Sequence, residues 1–249
     1  MTGILLAGGI GCRLLPFSKM INKHLLPVYN KPMIYYPFQF LKLSGISEII
    51  IVVNEDKQAE QISQYLSYEG NLGFSSVKYV FQDSPKGTAH AISLCKNLLI
   101  SSPFVVIWGD NMFEYCQLNL KRLCPDSIKL FIKEVDDVSH YGDVIINANR
   151  EISNIIYGSK MKQKIKKGFA LTGLFVLNST FFKYIDKIKP NAKNEIDIVD
   201  ALRLYIEVHR TEATIVEGFW IDMASSYDNL LAAACFVKKH GVNKLIDKK

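Results

Sequence analysis

Gly8, Gly9 and Gly11 stand in the run Ala7-Gly8-Gly9-Ile10-Gly11-Cys12-Arg13, directly after the apolar segment Ile4 to Leu6. Glycine has no Cβ, so backbone N–H groups in such a turn can close on a phosphate chain. Arg13 leaves the turn, and Lys23 follows in Asn22-Lys23-His24-Leu25-Leu26-Pro27. Two cations beside an anion-binding turn suit phosphoryl transfer, where charge develops on the transferring group. Two aspartates extend the set: Asp110 follows Val105-Val106-Ile107-Trp108-Gly109, and Asp222 follows Phe219-Trp220-Ile221. Carboxylates projecting from strand ends can hold Mg²⁺, which takes oxygen ligands and keeps waters and substrate phosphates. Taken singly, each aspartate could equally cap a following turn. Arg13 and Lys23 could equally be surface charges.

The glycine turn is neither of two common phosphate loops. A dinucleotide fingerprint needs G-x-G-x-x-G and an acid about twenty residues on. Here Leu14 takes the third glycine position, and the first acid after the turn is Glu48. A P-loop needs G-K-[ST], whereas Gly11 is followed by Cys12 and Arg13.

Apolar patterning supplies the elements that must position these residues. Ile4 to Ala7, Glu48 to Asn54, Val77 to Phe81 and Pro103 to Trp108 read as strands. The run E-I-I-I-V-V-N is continuous and β-branched, as in a buried parallel strand. Helical spacing predicts helices over Met33 to Leu43, with Pro32 at its start, over Gln58 to Tyr68 and over Thr88 to Leu99. Such alternation predicts an α/β fold, Rossmann-like, with a mixed, mostly parallel sheet flanked by helices. Ligands bind such sheets beyond the carboxyl ends of the strands, and Gly8, Gly9, Gln82 and Asp110 all fall there. The second half is richer in strands: Ile128 to Val135, Asp143 to Asn147, Ile152 to Tyr157 and Phe169 to Leu177. An amphipathic helix is expected over Asp197 to His209. Thr214 to Glu217 and Phe219 to Ile221 are expected to rejoin the sheet, before a last helix over Ser226 to Lys239. No repeat or linker interrupts the chain. The reading is one domain over residues 1–249, with a nucleotide half to about 115 and an acceptor half beyond it.

Composition narrows the function classes. Nearly half of the 249 residues are apolar, enough for a sizeable core, yet no run is long enough to span a membrane. The five cysteines, Cys12, Cys95, Cys116, Cys124 and Cys235, show no C-x-x-C spacing and fit free thiols in a reducing, cytoplasmic setting. The net charge of +6 lies largely in Lys160 to Lys167 and the tail Lys244 to Lys249. No aromatic–basic interleaving accompanies it, so neither nucleic acid nor membrane is an expected partner.

The pattern G-G-x-G-x-R-x-x-P followed by K-x-L-L-P-V-x-x-K-P-M-I-Y-Y-P resembles the sugar-1-phosphate nucleotidylyltransferases. The likeness is nearest to their short glucose-1-phosphate thymidylyltransferase branch. It continues through Gln82 to Ala91 (Q-D-S-P-K-G-T-A-H-A), Trp108-Gly109-Asp110-Asn111, Tyr141-Gly142, Ala170-Leu171-Thr172-Gly173-Leu174, Glu195 to Asp200 and Trp220-Ile221-Asp222. It implies transfer of a nucleotide to a sugar-1-phosphate with release of pyrophosphate, and a homo-oligomer. It also implies catalytic roles for Arg13 and Lys23, nucleotide contacts at Leu6, Gly8, Gly9, Gly11, Gln82 and Gly87, acceptor contacts at Tyr141, Gly142 and Thr172, and Mg²⁺ held by Asp110 and Asp222. A glutamine amide can pair with the amide–carbonyl edge of thymine or uracil, which sets dTTP and UTP ahead of CTP. Departures gather on the acceptor side. Where the family shows E-E-K-P, this chain has Ile155-Ile156-Tyr157-Gly158. No carboxylate lies between Glu151 and Ile185. Three readings therefore stand: an active transferase, a nucleotide-binding paralogue without turnover, and another nucleotide-dependent α/β enzyme.

Overall fold

The computed structural model describes residues 1–55, 57–99, 103–116, 118, 127–157, 167–192 and 194–245; the side chains of residues 57 and 58 are outside that description. Several positions discussed above therefore lie outside the described residues: Cys124, Gly158, Lys160 to Lys166 and residues 246–249. The chain begins with β1 (Thr2–Leu6), the hairpin strands β2 (Pro27–Val28) and β3 (Lys31–Pro32), α1 (Tyr35–Leu43), β4 (Glu48–Asn54), α2 (Lys57–Tyr68), β5 (Ser76–Gln82) and α3 (Thr88–Ser93). Next come β6 (Phe104–Trp108), β7 (Asn111–Phe113), β8 (Tyr115–Cys116), β9 (Ile128–Val135), β10 (Asp143–Ile146), β11 (Ile152–Ile156), β12 (Gly168–Leu177) and α4 (Phe182–Ile185). The order closes with α5 (Ile198–Ile206), β13 (Thr211–Ile215), β14 (Trp220–Asp222), α6 (Tyr227–His240) and β15 (Lys244–Leu245). This is an α/β fold with a mixed sheet flanked by helices.

Two compact units interleave along the sequence. One comprises Met1–Pro85, Ile107–Leu118 and Gly218–Lys249; the other comprises Lys86–Val106 and Asn119–Glu217. In the first unit, β4 pairs in parallel with β1 on one side and β5 on the other. Ile49 to Val53 are all essentially buried, which is why this strand is apolar on both faces. Helix α2 turns Ala59, Ile62 and Leu66 inward, the stripe its i, i+3, i+4 spacing predicts. A smaller core joins Leu14, just past the glycine turn, to Met112 of β7, Met223 beyond β14 and Ala233 of α6. Burying a side chain of this size stabilises by roughly 1.5–3 kcal/mol. Helix α6 is fixed at its start by Ser226, whose Oγ accepts the Asn229 N–H at 3.0 Å.

In the second unit, β9 pairs antiparallel with β12 and parallel with β13, while β10 pairs antiparallel with β11. Asp197 caps α5 by accepting the Val199 N–H at 3.0 Å. The helix buries Ile198, Val199, Ala201, Leu202 and Tyr205.

Three local expectations are corrected. Pro32 does not open a helix: Lys31–Pro32 pairs with Pro27–Val28, a hairpin turned at Tyr29 with φ 60°, and α1 begins at Tyr35. The helix expected to reach Leu99 ends at Ser93. Beyond Leu94 the bonds tighten to three-residue spacing, Cys95 N–H to Ile92 O and Leu98 N–H to Cys95 O. Finally, Trp220–Asp222 does not rejoin a large sheet. It pairs with Asn111–Phe113 as a separate two-stranded ribbon, after a break at Gly218 (φ 66°). That ribbon is what positions the site.

Candidate functional site

The glycine turn leaves β1 at its carboxyl end. Gly11 has φ 71°, a left-handed conformation that a side chain would strain, and it opens a 3-10 turn over Cys12–Leu14. Its carbonyl accepts the Leu14 N–H at 2.9 Å and the Ser18 hydroxyl at 2.8 Å. The turn wraps Lys23: a Cβ on Gly9 would come within 3.2 Å of the Lys23 Nζ. Arg13 lies exposed on the 3-10 turn.

Lys23 is not a surface charge. Its Nζ donates to Asp110 Oδ2 at 2.5 Å, and both side chains are nearly buried. The Gly109 N–H donates to the Leu6 carbonyl at 2.9 Å, which holds the end of β6 beside the end of β1 and so places Asp110. Asp110 Oδ1 accepts from the Asn111 amide at 3.1 Å, and the Asn111 Oδ1 accepts the Trp220 indole N–H at 2.8 Å. Asp222 arrives through the β7–β14 ribbon, in register with Asn111. The Met223 N–H donates to the Asp110 carbonyl at 2.8 Å, and Asp222 Oδ1 accepts the Ala224 N–H at 3.1 Å.

The two carboxyls titrate apart. Burial works to raise Asp110, but the Lys23 ammonium and the nearby His24 outweigh it and hold the group below the usual carboxylate range. Asp222 has no such partner. Burial, and next the Asp110 charge, push it up to about 7, against weaker pulls from Lys23, the Ala224 N–H and Arg13. A carboxyl raised in the folded state binds more protons folded than unfolded, so stability falls as pH rises from about 4 to 7. Asp222→Asn is accordingly expected to raise the melting temperature of the metal-free protein at pH 8 by several degrees. The gain should shrink toward pH 4. Thermal melts at a series of pH values check this, and a pH-independent change would refute the buried, unpaired charge.

His24 is a functional neighbour that sequence reading missed. It is buried, and its pKa is lowered to about 3 by burial and by Lys23, with Asp110 opposing. The Asn22 Oδ1 lies 2.8 Å from its Nδ1 and also accepts its backbone N–H at 3.0 Å. His24 is thus a neutral ring locking the segment that carries Lys23. The only signal was its place between a polar turn and an apolar run.

The remaining residues expected at the nucleotide fall in both units. Leu6 and Gln82 are buried in the first unit, each the last residue of its strand, β1 and β5. Gly87 belongs to the second unit, where it precedes α3 with φ 98°; a Cβ there would meet the Ile196 carbonyl oxygen at 2.5 Å. The residues expected at the acceptor are also in the second unit. The Tyr141 N–H donates to the Val138 carbonyl at 3.0 Å, and Gly142 (φ 80°) packs so that a Cβ would meet the Tyr157 ring at 2.9 Å. Thr172 is fully buried, its hydroxyl donating to the Phe131 carbonyl at 2.7 Å. Ile155 is buried too, its carbonyl accepting from Arg203 Nε at 2.7 Å. Lys167, the described end of the basic segment, pairs with Glu134 at 3.1 Å.

A model of the nucleotidyl transferase family matches residues 2–240. The chain belongs to this family. As a nucleotidyltransferase it is similar to the glucose-1-phosphate thymidylyltransferase of Neisseria meningitidis, 32% identical over 96% of this chain and 83% of that protein. It is also similar to the low-salt glycan biosynthesis nucleotidyltransferase of Haloferax volcanii, 27% identical over 98% of this chain and 68% of that one. Among solved structures, a UDP-glucose pyrophosphorylase complexed with UDP-glucose superposes with a TM-score of 0.81 and 26% identity, over 96% of this chain and 98% of that chain. A Bacillus anthracis protein assigned as a glucose-1-phosphate thymidylyltransferase gives a TM-score of 0.83 and 31% identity, over 98% of both chains.

Proposed function

We propose that this nucleotidyltransferase joins a nucleoside triphosphate, dTTP or UTP, to glucose-1-phosphate or a related phosphorylated acceptor and releases pyrophosphate. The observation that carries the reading is the buried Lys23–Asp110 pair, wrapped by a glycine turn and joined by Asp222 through a short ribbon. An acceptor phosphate oxygen forms the new bond to the α-phosphorus as the bond to the β-phosphate oxygen breaks, in line. No covalent enzyme intermediate is needed, because positioning and charge stabilisation suffice. Arg13 and Lys23 offset the charge on the transferring phosphoryl, the backbone of Gly8, Gly9 and Gly11 cradles the triphosphate, and Leu6 and Gln82 contact the nucleotide, Gln82 at its base; Gly87, in the other unit, is a nucleotide contact by family likeness. Tyr141, Gly142 and Thr172 belong to the acceptor side, Thr172 through its backbone.

Asp110 and Asp222 fit a divalent cation such as Mg²⁺. Both offer hard oxygen donors, and such an ion draws its other ligands from water and substrate phosphates. No group of three or more His, Cys, Asp or Glu poised for a metal occurs among the described residues. When bound, the ion would supply charge neutralisation and orientation of the phosphates. Asp110 and Asp222 would hold the ion, and Lys23, which pairs with Asp110 Oδ2, would add positive charge beside it.

No helix of the described chain is long and apolar enough to cross a membrane. The reading places the protein in the cytoplasm, where nucleoside triphosphates are found, as a homo-oligomer with neither nucleic acid nor membrane as partner. Pyrophosphate release, followed across dTTP, UTP and CTP with a panel of sugar-1-phosphates, tests it. Absence of release from every pair would overturn turnover and leave a nucleotide-binding protein.

The acceptor side carries a sharper expectation. The positions where relatives of the resembling branch have a glutamate and a lysine hold Ile155, Ile156 and Tyr157, with Ile155 buried. Each lost charge-assisted hydrogen bond costs roughly 1.5–3 kcal/mol. Two such losses weaken glucose-1-phosphate by on the order of a hundredfold, since about 1.4 kcal/mol is a factor of ten. The KM for glucose-1-phosphate should therefore be high, and that for the nucleotide ordinary. A micromolar KM that survives replacement of the lysines between 160 and 167 refutes this.

A further inference from the structure

Trp220 and Asn111 form a chain of hydrogen bonds that ends on Asp110. The β7–β14 ribbon pairs Asn111 with Asp222 and Phe113 with Trp220, antiparallel. Paired residues share a face, and so do residues two apart in one strand. Asn111, Trp220 and Asp222 therefore belong to one face of the ribbon, and the indole meets Asn111 as a diagonal neighbour. Both Asn111 and Trp220 are buried. Asn111 Oδ1 accepts the Trp220 indole N–H at 2.8 Å, while its Nδ2 donates to Asp110 Oδ1 at 3.1 Å.

The indole decides the sense of this chain. The two ends of an asparagine amide have nearly the same shape, but one accepts and the other donates. An indole N–H only donates, so the amide oxygen faces it and the NH2 faces Asp110. Turned over, the buried amide would set its oxygen against a carboxylate oxygen and leave the indole N–H without its acceptor. Buried polar groups left unmet in this way are costly. Asp110 is thereby held at both oxygens, Oδ2 by Lys23 at 2.5 Å and Oδ1 by Asn111. Rotation of a carboxyl about its terminal torsion is soft, so a grip on one oxygen alone leaves its plane loosely set. An ionised carboxylate has about four lone-pair sites, so both oxygens keep room for a cation.

We propose that Trp220, acting through Asn111, is a positioning residue that orients the Asp110 carboxylate for a divalent cation. The proposal rests on the reading of Asp110 and Asp222 as ligands of that cation. The indole needs no contact with the ion, because its effect passes through the amide. Trp220 also shares β14 with Asp222, so the same bond ties the strand of one ligand to the carboxylate of the other.

Titration of the substrate-free full chain with Mn²⁺, a cation that also takes oxygen ligands, tests this through the electron paramagnetic resonance signal of the free ion. Asn111→Ala removes the hold on Oδ1 and should weaken Mn²⁺ binding by about 10–100-fold, as loss of an outer partner of a metal ligand commonly does. Trp220→Phe keeps an aromatic ring and removes the N–H. It should weaken Mn²⁺ binding by about three- to tenfold, the effect of one hydrogen bond. The double variant decides the route. Acting through the amide, Trp220→Phe adds nothing in the Asn111→Ala background, whereas a ring that merely packs the ribbon gives effects that multiply. Asn111→Ser completes the same cycle should melts show Asn111→Ala unfolded. Unchanged Mn²⁺ affinity in Trp220→Phe overturns the proposal alone, and so do multiplying effects in the double variant. Wild type that fails to bind Mn²⁺ overturns the two-aspartate reading and this proposal together.

Discussion

Lys23→Ala is expected to lower kcat/KM by about 10²–10³-fold, the effect of removing one preorganised donor from a developing oxyanion. The same change should destabilise the metal-free protein. It leaves Asp110 without the ammonium at 2.5 Å that offsets its burial, next to a second, partly buried carboxylate at Asp222. Breaking a buried pair from one side typically costs about 3–5 kcal/mol. Mg²⁺ supplies replacement positive charge, so it should raise the melting temperature of Lys23→Ala by more than that of wild type. The paired measurements are steady-state kinetics and melts with and without Mg²⁺. Arg13→Ala should show mainly the kinetic loss, because Arg13 is exposed and its pull on Asp222 is the weakest of those acting there. Full activity in both variants would falsify the proposed grip on the triphosphate.

Asp110→Asn should be the more damaging of the two aspartate changes. A neutral amide is a poor ligand for a hard cation, and replacing even an outer partner of a metal ligand commonly costs 10–100-fold. The expected loss in Mg²⁺ affinity is therefore at least about a hundredfold, with turnover falling alongside it. Asp110 also anchors Lys23 and accepts from Asn111, so its replacement disturbs a cation and an amide at once. Asp222→Asn should also lower turnover, though less, while stabilising the metal-free fold at pH 8, the opposite sign for stability. Activity that persists through chelator treatment in wild type would count against the two-aspartate site altogether.

Elements with one dominant physical signal were legible from the chain itself. The β-branched run Glu48 to Asn54 became β4 with those limits, because a strand buried on both faces leaves no other pattern. Ile128 to Val135 became β9 with the expected limits as well. The later helices were expected from Asp197 and Ser226, and both residues cap them, since short polar side chains there satisfy free N–H groups. Errors fell where local propensity competed with pairing. Pro32 suits a first helical turn, yet a hairpin partner at Pro27 recruited it into a strand, where its missing N–H is tolerated at an edge.

The sequence by itself determined the α/β class, the family and the residue types able to handle a triphosphate. Those depend on period and on short motifs, and both are local properties of the chain. It could not determine that Lys23 is buried against Asp110, that Asp222 reaches the same place through a ribbon rather than a large sheet, or that the Trp220 indole meets Asn111 across that ribbon. Each of these joins residues far apart in the chain. Pairing register and a small core around Leu14, Met112 and Met223 bring them together, and neither leaves a periodic trace in the residues concerned. The carboxyl pKa values follow the same rule: Asp110 and Asp222 look alike in sequence, and their surroundings, above all the lysine paired with Asp110, set them apart.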